Sequence, residues 1–238
     1  MPVISKGIVR FNPDTKTYVH YKHDPGSPNS ISDNDIVSFF EDDEGIIWIA
    51  SAKGTLNRFD RESGKYDHYR YLPENSFLSI NLNLELLPSI CDDGFGNLWI
   101  TVETKGLFIF NKKSKKILQY KYDPLNAHSL SSNRLHDIYK DMSGVIWISS
   151  IGGCINTFNP LQYRFDFYSH DPQDINTPGN NNIWVVSEDK KGNIWIGHDN
   201  GLDKLDPRTN KFTYFRNNPA NKKSISAGKN ISAILEDL

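Results

Sequence analysis

The stretch Asp189-Lys190-Lys191-Gly192-Asn193-Ile194-Trp195-Ile196-Gly197 is one of four similar stretches in this sequence. The other three also begin with an aspartate and carry a tryptophan six residues later, at Asp42 and Trp48, Asp93 and Trp99, and Asp141 and Trp147. The four tryptophans are 51, 48 and 48 residues apart. A near-constant spacing of this size is typical of repeat architectures, so the sequence predicts that one supersecondary unit is reused.

Each copy has the composition of a β-hairpin. The aspartate opens a turn, a glycine three residues later supplies the positive φ that a tight turn needs, and an apolar-Trp-Ile run begins the second strand. An acidic calcium loop is the alternative for Asp42-Asp43-Glu44-Gly45, but the equivalent Asp189-Lys190-Lys191-Gly192 carries lysines instead. Because a turn explains all four copies, the sequence predicts turns and no metal site.

The composition is that of an ordinary globular chain. Its 238 residues are 37% hydrophobic, 24% charged and 12% aromatic, and the aromatic excess favours strands. The net charge is −2 with both signs interspersed, so no nucleic-acid partner is expected. No apolar run is long enough to span a membrane, and the residues Met1–Gly7 lack a signal-peptide core. We therefore expect no membrane contact by this chain.

Two cysteines, Cys91 and Cys154, occupy different positions within their repeats. The repeat gives no reason to pair them, which favours buried free thiols. A disulfide remains the alternative, and the cysteine count does not identify the compartment.

The repeat divides the chain into units with the following boundaries: residues 1–30 are strands three and four of a partial unit, 31–78, 79–127, 128–175 and 176–223 are complete units, and 224–238 begin a further unit with its first strand. In the third complete unit the predicted strands are Leu135–Tyr139, Val145–Ser149, Cys154–Phe158 and Phe165–Tyr168. The second unit differs most, because an extra stretch around residues 79–85 lengthens the segment that leads into it.

Short antiparallel strands repeated in fours, without helical periodicity, predict an all-β protein. The second strand is apolar on both faces, as in Ile46-Ile47-Trp48-Ile49, and a sheet buried on both faces must stack against other sheets. The prediction is a β-propeller with four complete four-stranded antiparallel blades and partial blades at both ends. We expect an open arc from a larger propeller, whose exposed edges would also allow association as a homodimer.

The motif itself resembles the two-component regulator propeller repeat. The resemblance lies in Asn34–Gly54, Asn133–Gly153 and Asn181–Leu202 and in the linkers His170-Asp171-Pro172 and Tyr122–Ser131, and it extends over essentially the whole chain. It implies the periplasmic sensor part of a hybrid two-component system that responds to glycans. The remaining blades and the signalling domains would then belong to a longer protein, because no kinase or DNA-binding motif is present here.

Residues that break the repeat are candidates for function, whereas residues that recur in every blade are scaffold. The four repeated tryptophans are therefore assigned to the core. Trp184 stands where other units have Val37, Pro88, His136 and Ser232, at the start of the strand that lines a propeller's channel. With Arg134, His136 and Asn182 it predicts a site for an oligosaccharide, which offers apolar ring faces and hydroxyls.

A structural alternative stays open for these residues. Trp184 would wedge between blades, and the asparagines at the matching positions (Asn34, Asn133, Asn181 and Asn182, with Asp35) would bond to their own turns.

The loops between strands two and three also vary, and they include Glu103 and the stretch His198-Asp199-Asn200. Glu103 and His198 are residue types that could serve as acid and base in an enzyme, but they lie two blades apart. We therefore expect solvated loop residues, no catalytic residue and no cofactor. A sensing or interaction segment is the leading hypothesis, with a propeller lyase or hydrolase and a purely structural scaffold as alternatives.

Overall fold

The computed structural model describes residues 2–3, 6–73, 88–159, 164–221, 223–225 and 230–236. Secondary structure in these ranges consists of strands, and every sheet is antiparallel. No helix in the described ranges is long and apolar enough to cross a membrane. The stretch around residues 79–85 that the sequence predicts as an extra segment lies outside the described residues.

An N-terminal sheet of three strands precedes four sheets of four strands each. The N-terminal sheet contains β1 (Pro2–Val3), β2 (Gly7–Asn12) and β3 (Thr17–Tyr21). Blade 1 contains β4 (Ile36–Glu41), β5 (Ile47–Ser51), β6 (Thr55–Phe59) and β7 (Tyr66–Arg70). Blade 2 contains β8 (Ile90–Asp92), β9 (Asn97–Val102), β10 (Gly106–Asn111) and β11 (Ile117–Tyr120). Blade 3 contains β12 (Leu135–Lys140), β13 (Ile146–Ser150), β14 (Ile155–Asn159) and β15 (Arg164–Tyr168). Blade 4 contains β16 (Ile183–Glu188), β17 (Ile194–His198), β18 (Gly201–Asp206) and β19 (Lys211–Phe215).

Each repeated turn is held together by its aspartate. In blade 1, Oδ1 of Asp42 accepts the backbone N–H groups of Glu44 and Ile46 at 3.1 and 2.9 Å. Its Oδ2 accepts the indole N–H of Trp48 at 2.8 Å. Gly45 has a φ of 75°, in the left-handed region that glycine adopts readily. The turn and its tryptophan thus account for both oxygens of the Asp42 carboxylate.

The two ends of the chain differ in detail from the sequence-based expectation. At the N-terminus Pro2–Val3 pairs with β2 and takes the place of a second strand, where only strands three and four were expected. At the C-terminus the expected first strand around Ile231 is not a strand, since residues 230–236 have no regular secondary structure. Ile231 N–H donates to His198 O at 3.3 Å, but no described strand pairs with this segment as β17 pairs with β16.

The apolar core lies between blades rather than inside any one of them. Trp48 of blade 1 packs edge-on against Phe110 of blade 2, with ring centroids 5.5 Å apart. Trp99 of blade 2 contacts Phe158 of blade 3 at 4.8 Å. Burial on both faces of the second strand is therefore confirmed for the first three blades, where Trp48, Trp99 and Trp147 are buried; Trp195 of blade 4 is half-buried.

The outward face of the N-terminal sheet is left uncovered. Phe11 and Tyr18 are 52% and 68% exposed, whereas their repeat equivalents in blade 1, Phe59 and Tyr66, are each 6% exposed. Phe59 and Tyr66 are covered because Tyr21 of the preceding sheet packs on both rings. Phe11 and Tyr18 thus form an aromatic pair of the kind that a preceding blade covers elsewhere in the fold.

Both cysteines are free and buried, as the sequence predicts. Burial raises the pKa of the Cys91 thiol to about 12 and also raises the pKa of Cys154. These thiols are therefore poor nucleophiles at neutral pH.

Candidate functional site

The candidate site lies at the end of the blades where the first strand begins and the loop between strands two and three returns. We call the residues Arg134, His136, Asn182, Trp184 and Asp199 the mouth cluster. His136 and Trp184 lie at equivalent places in β12 and β16, and Asp199 directly follows β17.

A β-bulge in the first strand presents two of these side chains, His136 and Trp184. The pairing between β12 and β13 shifts register between Leu135 and Ile138, which leaves His136 at the irregularity. The pairing between β16 and β17 shifts between Ile183 and Val185, which does the same for Trp184. Bulges bend a strand and change the direction of its side chains. Because the bulge recurs at the same place in the repeat, the residue at that place points away from the regular hydrogen-bonded ladder in both blades.

Trp184 is fixed in orientation by its neighbours. Its indole N–H donates to Oδ1 of Asp199 at 2.5 Å. The ring meets the imidazole of His136, in the adjoining blade, edge to face, with centroids 5.5 Å apart and planes at 80°. The side chain remains half-buried, so it is neither sealed in the core nor free to rotate.

Asn182 is a bridge between two blades. Its Nδ2 donates to Oδ2 of Asp199 at 2.8 Å, and its Oδ1 accepts the backbone N–H of Gly152 in blade 3 at 2.8 Å. Because both ends of the amide are engaged, Asn182 chiefly positions Asp199 and, through it, Trp184.

Arg134 lies at the outer edge of the cluster. Its side chain is 51% exposed and its Nη2 lies 3.5 Å from Oε1 of Glu103 in blade 2. A long, exposed contact of this kind is weak, so the guanidinium is available to a ligand at little cost. The structure thus brings His136, Asn182 and Trp184 into one connected cluster, whereas the Arg134 side chain contacts Glu103 of blade 2.

Asp199 is the member that sequence reasoning missed. The sequence places it in a variable loop without giving it a role, yet it accepts hydrogen bonds from both Trp184 and Asn182. Its equivalents in the other blades are Ala52, Glu103 and Ile151. The same comparison of repeats that singles out Trp184 therefore carries the signal for Asp199.

The asparagines that recur at the start of each first strand have a scaffold role. Asn34, Asn133 and Asn181 accept the backbone N–H of His23, Tyr122 and His170 at 2.9, 2.8 and 2.7 Å. Since the same bond occurs in three blades, it fixes the incoming linker and does not mark a site.

The expectation that His198 is a solvated loop residue is wrong. His198 ends β17 and is fully buried. Its Nε2 lies 3.1 Å from Oδ1 of Asp203, and its Nδ1 accepts the backbone N–H of Asn200 at 3.0 Å. Nη2 of Arg216 also approaches Asp203 Oδ1, at 2.6 Å. His198 is inside the fold because it lies against the buried carboxylate of Asp203, which needs polar partners.

Asp203 keeps its charge in this network. Burial alone would raise the pKa of its carboxyl, but hydrogen bonds from His198, the Gly179 N–H and Arg216 outweigh burial and lower the pKa. His198 and Arg216 lie beside Oδ1 of Asp203 and the Gly179 N–H donates to Oδ2, which is the arrangement of a structural ion pair. Glu103 and His198 therefore do not form an acid–base pair.

Asp137 links three consecutive blades just behind His136. Its Oδ1 accepts the Ser89 hydroxyl of blade 2 at 2.9 Å, and its Oδ2 lies 3.5 Å from the backbone N–H of Val186 in blade 4. Burial raises the pKa of the Asp137 carboxyl in spite of these contacts. The first strands of blades 2, 3 and 4 are thus joined next to the mouth cluster by Asp137, whose carboxyl group is costly to ionise.

Comparison with known proteins supports the repeat and the fold. The sequence profile of the two-component regulator propeller family matches residues 30–53 and 177–200. No curated protein sequence matches the chain. Among solved structures, the chain is similar to the extracellular domain of BT3049 from B. thetaiotaomicron, described as a hybrid two-component system. The TM-score is 0.75 and the identity 22%, over 99% of this chain and 29% of that one.

The extracellular domain of a second such system, BT4673 from the same organism, aligns with a TM-score of 0.66 and 21% identity over 90% of this chain. This chain spans 29% of the length of each of these relatives. At such identities the likeness concerns the fold. The chain is therefore a β-propeller segment in which two stretches, residues 30–53 and 177–200, match the two-component regulator propeller family.

Proposed function

We propose that this chain is the ligand-sensing propeller segment of a periplasmic sensor in a two-component signalling system, and that its signal is a glycan-derived oligosaccharide. Two findings support the assignment to a two-component sensor. The family profile matches two of its repeats, and the similar structures are extracellular domains of hybrid two-component systems. Further blades and the signalling domains would belong to the longer protein.

The single observation that carries the ligand proposal is the held orientation of Trp184. An indole fixed by Asp199 and His136, yet half-buried, offers a rigid face at low entropic cost. Sugar rings stack on such faces through their C–H patches, and polar groups at the rim set their orientation. Arg134, which is exposed next to Glu103, is a further donor that a longer saccharide would reach from this face.

A binding role accounts for the cluster better than catalysis does. General acid–base chemistry needs two titratable groups on either side of a reacting bond. Here Asp199 is occupied by two hydrogen bonds and Glu103 faces Arg134, while His198 is buried with Asp203. A lyase or hydrolase therefore has little support, and a structural scaffold is the remaining alternative.

The test is a fluorescence titration of the complete sensor with cello-, xylo-, manno- and galacto-oligosaccharides of increasing length. We expect one series to change tryptophan emission, and Trp184→Ala to weaken its binding by about fivefold or more, since stacking contributes about 1 kcal/mol beyond area burial. Phe95→Ala is the matched control, because Phe95 is an exposed aromatic in a turn at the opposite end of the blades.

A second variant separates stacking from positioning. Asp199→Ala keeps the indole but removes its hydrogen-bond acceptor, so it should lower affinity and also lower the fluorescence anisotropy of Trp184 in the free protein. Unchanged affinity in both variants would show that Trp184 and Asp199 have a structural role and do not bind the saccharide. No binding by any series, with the fold intact, would favour a purely structural segment.

A further inference from the structure

His198 directly precedes Asp199, the carboxylate that fixes the indole of Trp184, and it is fully buried. Its Nδ1 accepts the backbone N–H of Asn200 at 3.0 Å. This bond joins the two chain neighbours of Asp199, so Asp199 lies on the short loop that the bond closes. The place of the Asp199 carboxylate therefore depends on a contact made by His198.

The last residue of the second strand ties the chain that follows it in two other blades as well. Ser51 Oγ accepts the backbone N–H of Thr55 at 3.3 Å, and Ser150 Oγ accepts that of Cys154 at 2.8 Å. A serine hydroxyl keeps its lone pairs at every pH at which the protein is folded, whereas an imidazole nitrogen loses its acceptor when it takes up a proton. Blade 4 thus has a titratable acceptor where blades 1 and 3 have a fixed one.

The loop of blade 4 also depends more on side chains than its equivalents do. At the place of Asp199, blades 1 and 3 have Ala52 and Ile151. Their backbone N–H groups donate at 2.8 and 2.9 Å to the carbonyl of the residue just before the first strand. In blade 4 the equivalent pair, Asp199 and Asn182, is joined through its side chains. Loss of the His198 bond should therefore affect this loop strongly.

The contacts of His198 select one form of the imidazole. A ring nitrogen that accepts an N–H carries no proton, so the proton of the neutral ring is on Nε2. Nε2 lies 3.1 Å from Oδ1 of Asp203, which faces that proton. Nη2 of Arg216 lies 2.6 Å from the same oxygen and supplies the positive charge that a buried carboxylate needs. The imidazole can therefore stay neutral beside Asp203.

The described groups around the imidazole come from several elements. They are Ile183 on β16, Asp199 next along the chain, Asp203 on β18, Tyr214 on β19, Arg216 just after β19, and Ile231 of the C-terminal segment. Asp203 and Arg216 compensate each other, and burial raises the pKa of Tyr214, which keeps that ring neutral. A proton added to Nδ1 would thus bring an additional positive charge and remove the acceptor of the Asn200 N–H.

We propose that His198 is a positioning residue of the mouth cluster: its neutral imidazole holds the loop of Asp199 and Asn200, and with it the indole of Trp184, and protonation of Nδ1 releases them. An imidazole changes its charge in the mildly acidic range, so the mouth cluster should be held at neutral pH and looser in acid. Only the last step rests on the proposed function, namely that a held indole binds the saccharide better than a released one. The sensor should then bind its ligand less well when the medium turns acidic.

The first test needs no ligand. Hydrogen exchange of the complete sensor, resolved to single amides by mass spectrometry, is measured at about pH 7.5 and about pH 5.5 and divided by the rates of the unfolded chain. We expect protection of the Asn200 N–H to fall about fivefold or more in acid, the effect of losing one hydrogen bond. The Cys154 N–H is the matched control, because a hydroxyl holds it and its protection should not change.

Two substitutions separate the acceptor from the bulk of the side chain. His198→Asn keeps an acceptor that does not titrate, so protection of Asn200 should persist at both pH values. His198→Leu has no acceptor and should lower that protection at both. His136→Asn separates the other histidine that touches the indole, and acid should still affect Asn200 in this variant. If His198→Leu unfolds, as exchange at Cys154 will show, the comparison of the two pH values in the unchanged protein decides.

The outcomes keep this inference apart from the proposed function. Equal protection of Asn200 at both pH values in the unchanged protein, or a pH dependence that persists in His198→Asn, would overturn it. A saccharide that binds the unchanged sensor should bind folded His198→Leu about fivefold more weakly and His198→Asn about as well. Full affinity in His198→Leu would also overturn the positioning role. If no saccharide binds while Asn200 responds as expected, the proposed ligand is wrong and the positioning role stands.

Discussion

The indole N–H of Trp147 donates to Oδ2 of Asp141 over 2.7 Å, so the residue that opens the turn also holds the tryptophan of the strand that follows. The same bond joins Asp42 to Trp48, Asp93 to Trp99 and Asp189 to Trp195, at 2.8, 3.1 and 2.8 Å. One aspartate per blade therefore satisfies the backbone of the turn and the only polar atom of the largest core side chain.

Removing this tryptophan should be among the most damaging single changes. We expect Trp147→Ala to lower the free energy of unfolding by about 3–5 kcal/mol, because it deletes a buried aromatic and leaves a cavity. Trp147→Phe should cost less, since it keeps most of the buried area and loses the bond to Asp141. Urea unfolding measures both, with Met142→Ala, an exposed residue of the same turn, as control. A cost for Trp147→Ala close to that of the control would contradict the core assignment.

The turn aspartate Asp189 makes stability depend on pH in the acid range. Burial raises the pKa of Asp189. The hydrogen bonds from the Asn193 amide, the Trp195 indole and two backbone N–H groups lower the pKa by more than burial raises it, so the folded-state pKa lies below the usual value. The stabilisation is thus complete above the unfolded-state pKa of about 4 and is lost as pH falls toward the folded-state pKa. Asp189→Asn should flatten the acid side of the stability profile, measured by denaturant unfolding at a series of pH values. A parallel, merely lowered profile would show that Asp189 does not titrate differently in the two states.

Cys91 should be unreactive in the folded protein. Burial raises the pKa of its thiol to about 12, so the thiolate that alkylating reagents attack is scarce at neutral pH. We expect iodoacetamide to label Cys91 slowly in buffer and rapidly in urea, as followed by mass spectrometry. Fast labelling in buffer, with the unfolding transition unchanged, would place the thiol at the surface.

The uncovered aromatic pair at the N-terminal sheet should promote association. Phe11 and Tyr18 are exposed, whereas their equivalents are covered by a preceding sheet, and Trp195 stacked on Phe215 is half-buried at the other end. We expect the isolated chain to self-associate as its concentration rises, in sedimentation velocity, and Phe11→Ser with Tyr18→Ser to reduce this. Tyr122→Ser is the control, since Tyr122 is an exposed aromatic of a linker. Purely monomeric behaviour of the unchanged chain would rule out this surface as an interface.

Much of the fold follows from local sequence. The Asp, Gly and Trp of each repeat set a turn, a strand and a core contact within ten residues or so, and the strands predicted in the third unit differ from the observed ones by only one residue at most ends. Such features are readable because turn chemistry and burial act over short stretches. The strand expected around Ile231 was not found, because a strand needs a partner and none of the described residues supplies one there.

The candidate mouth cluster was only partly predictable. Trp184, His136 and Asn182 were found by comparing repeats, but the contact between Trp184 and Asp199 depends on a bulge that shifts the register of two strands. His198 was misplaced because its environment is set by Asp203, on β18, and by Arg216, which directly follows β19. Registers and buried ion pairs are properties of the assembled sheet, and a single sequence does not display them.

In all four blades each hydrogen-bonded ladder joins strands that follow one another along the chain, as β12 joins β13 and β13 joins β14. Loop closure is therefore short throughout, and a blade can complete its own ladders without waiting for distant segments to be synthesised. The same locality acts at the level of the gene. Duplicating or deleting a stretch that encodes one 48-residue repeat would add or remove a whole sheet and leave every other ladder intact. The number of blades is thus a trait that a single recombination event can change, and selection then acts on how well the new neighbours pack.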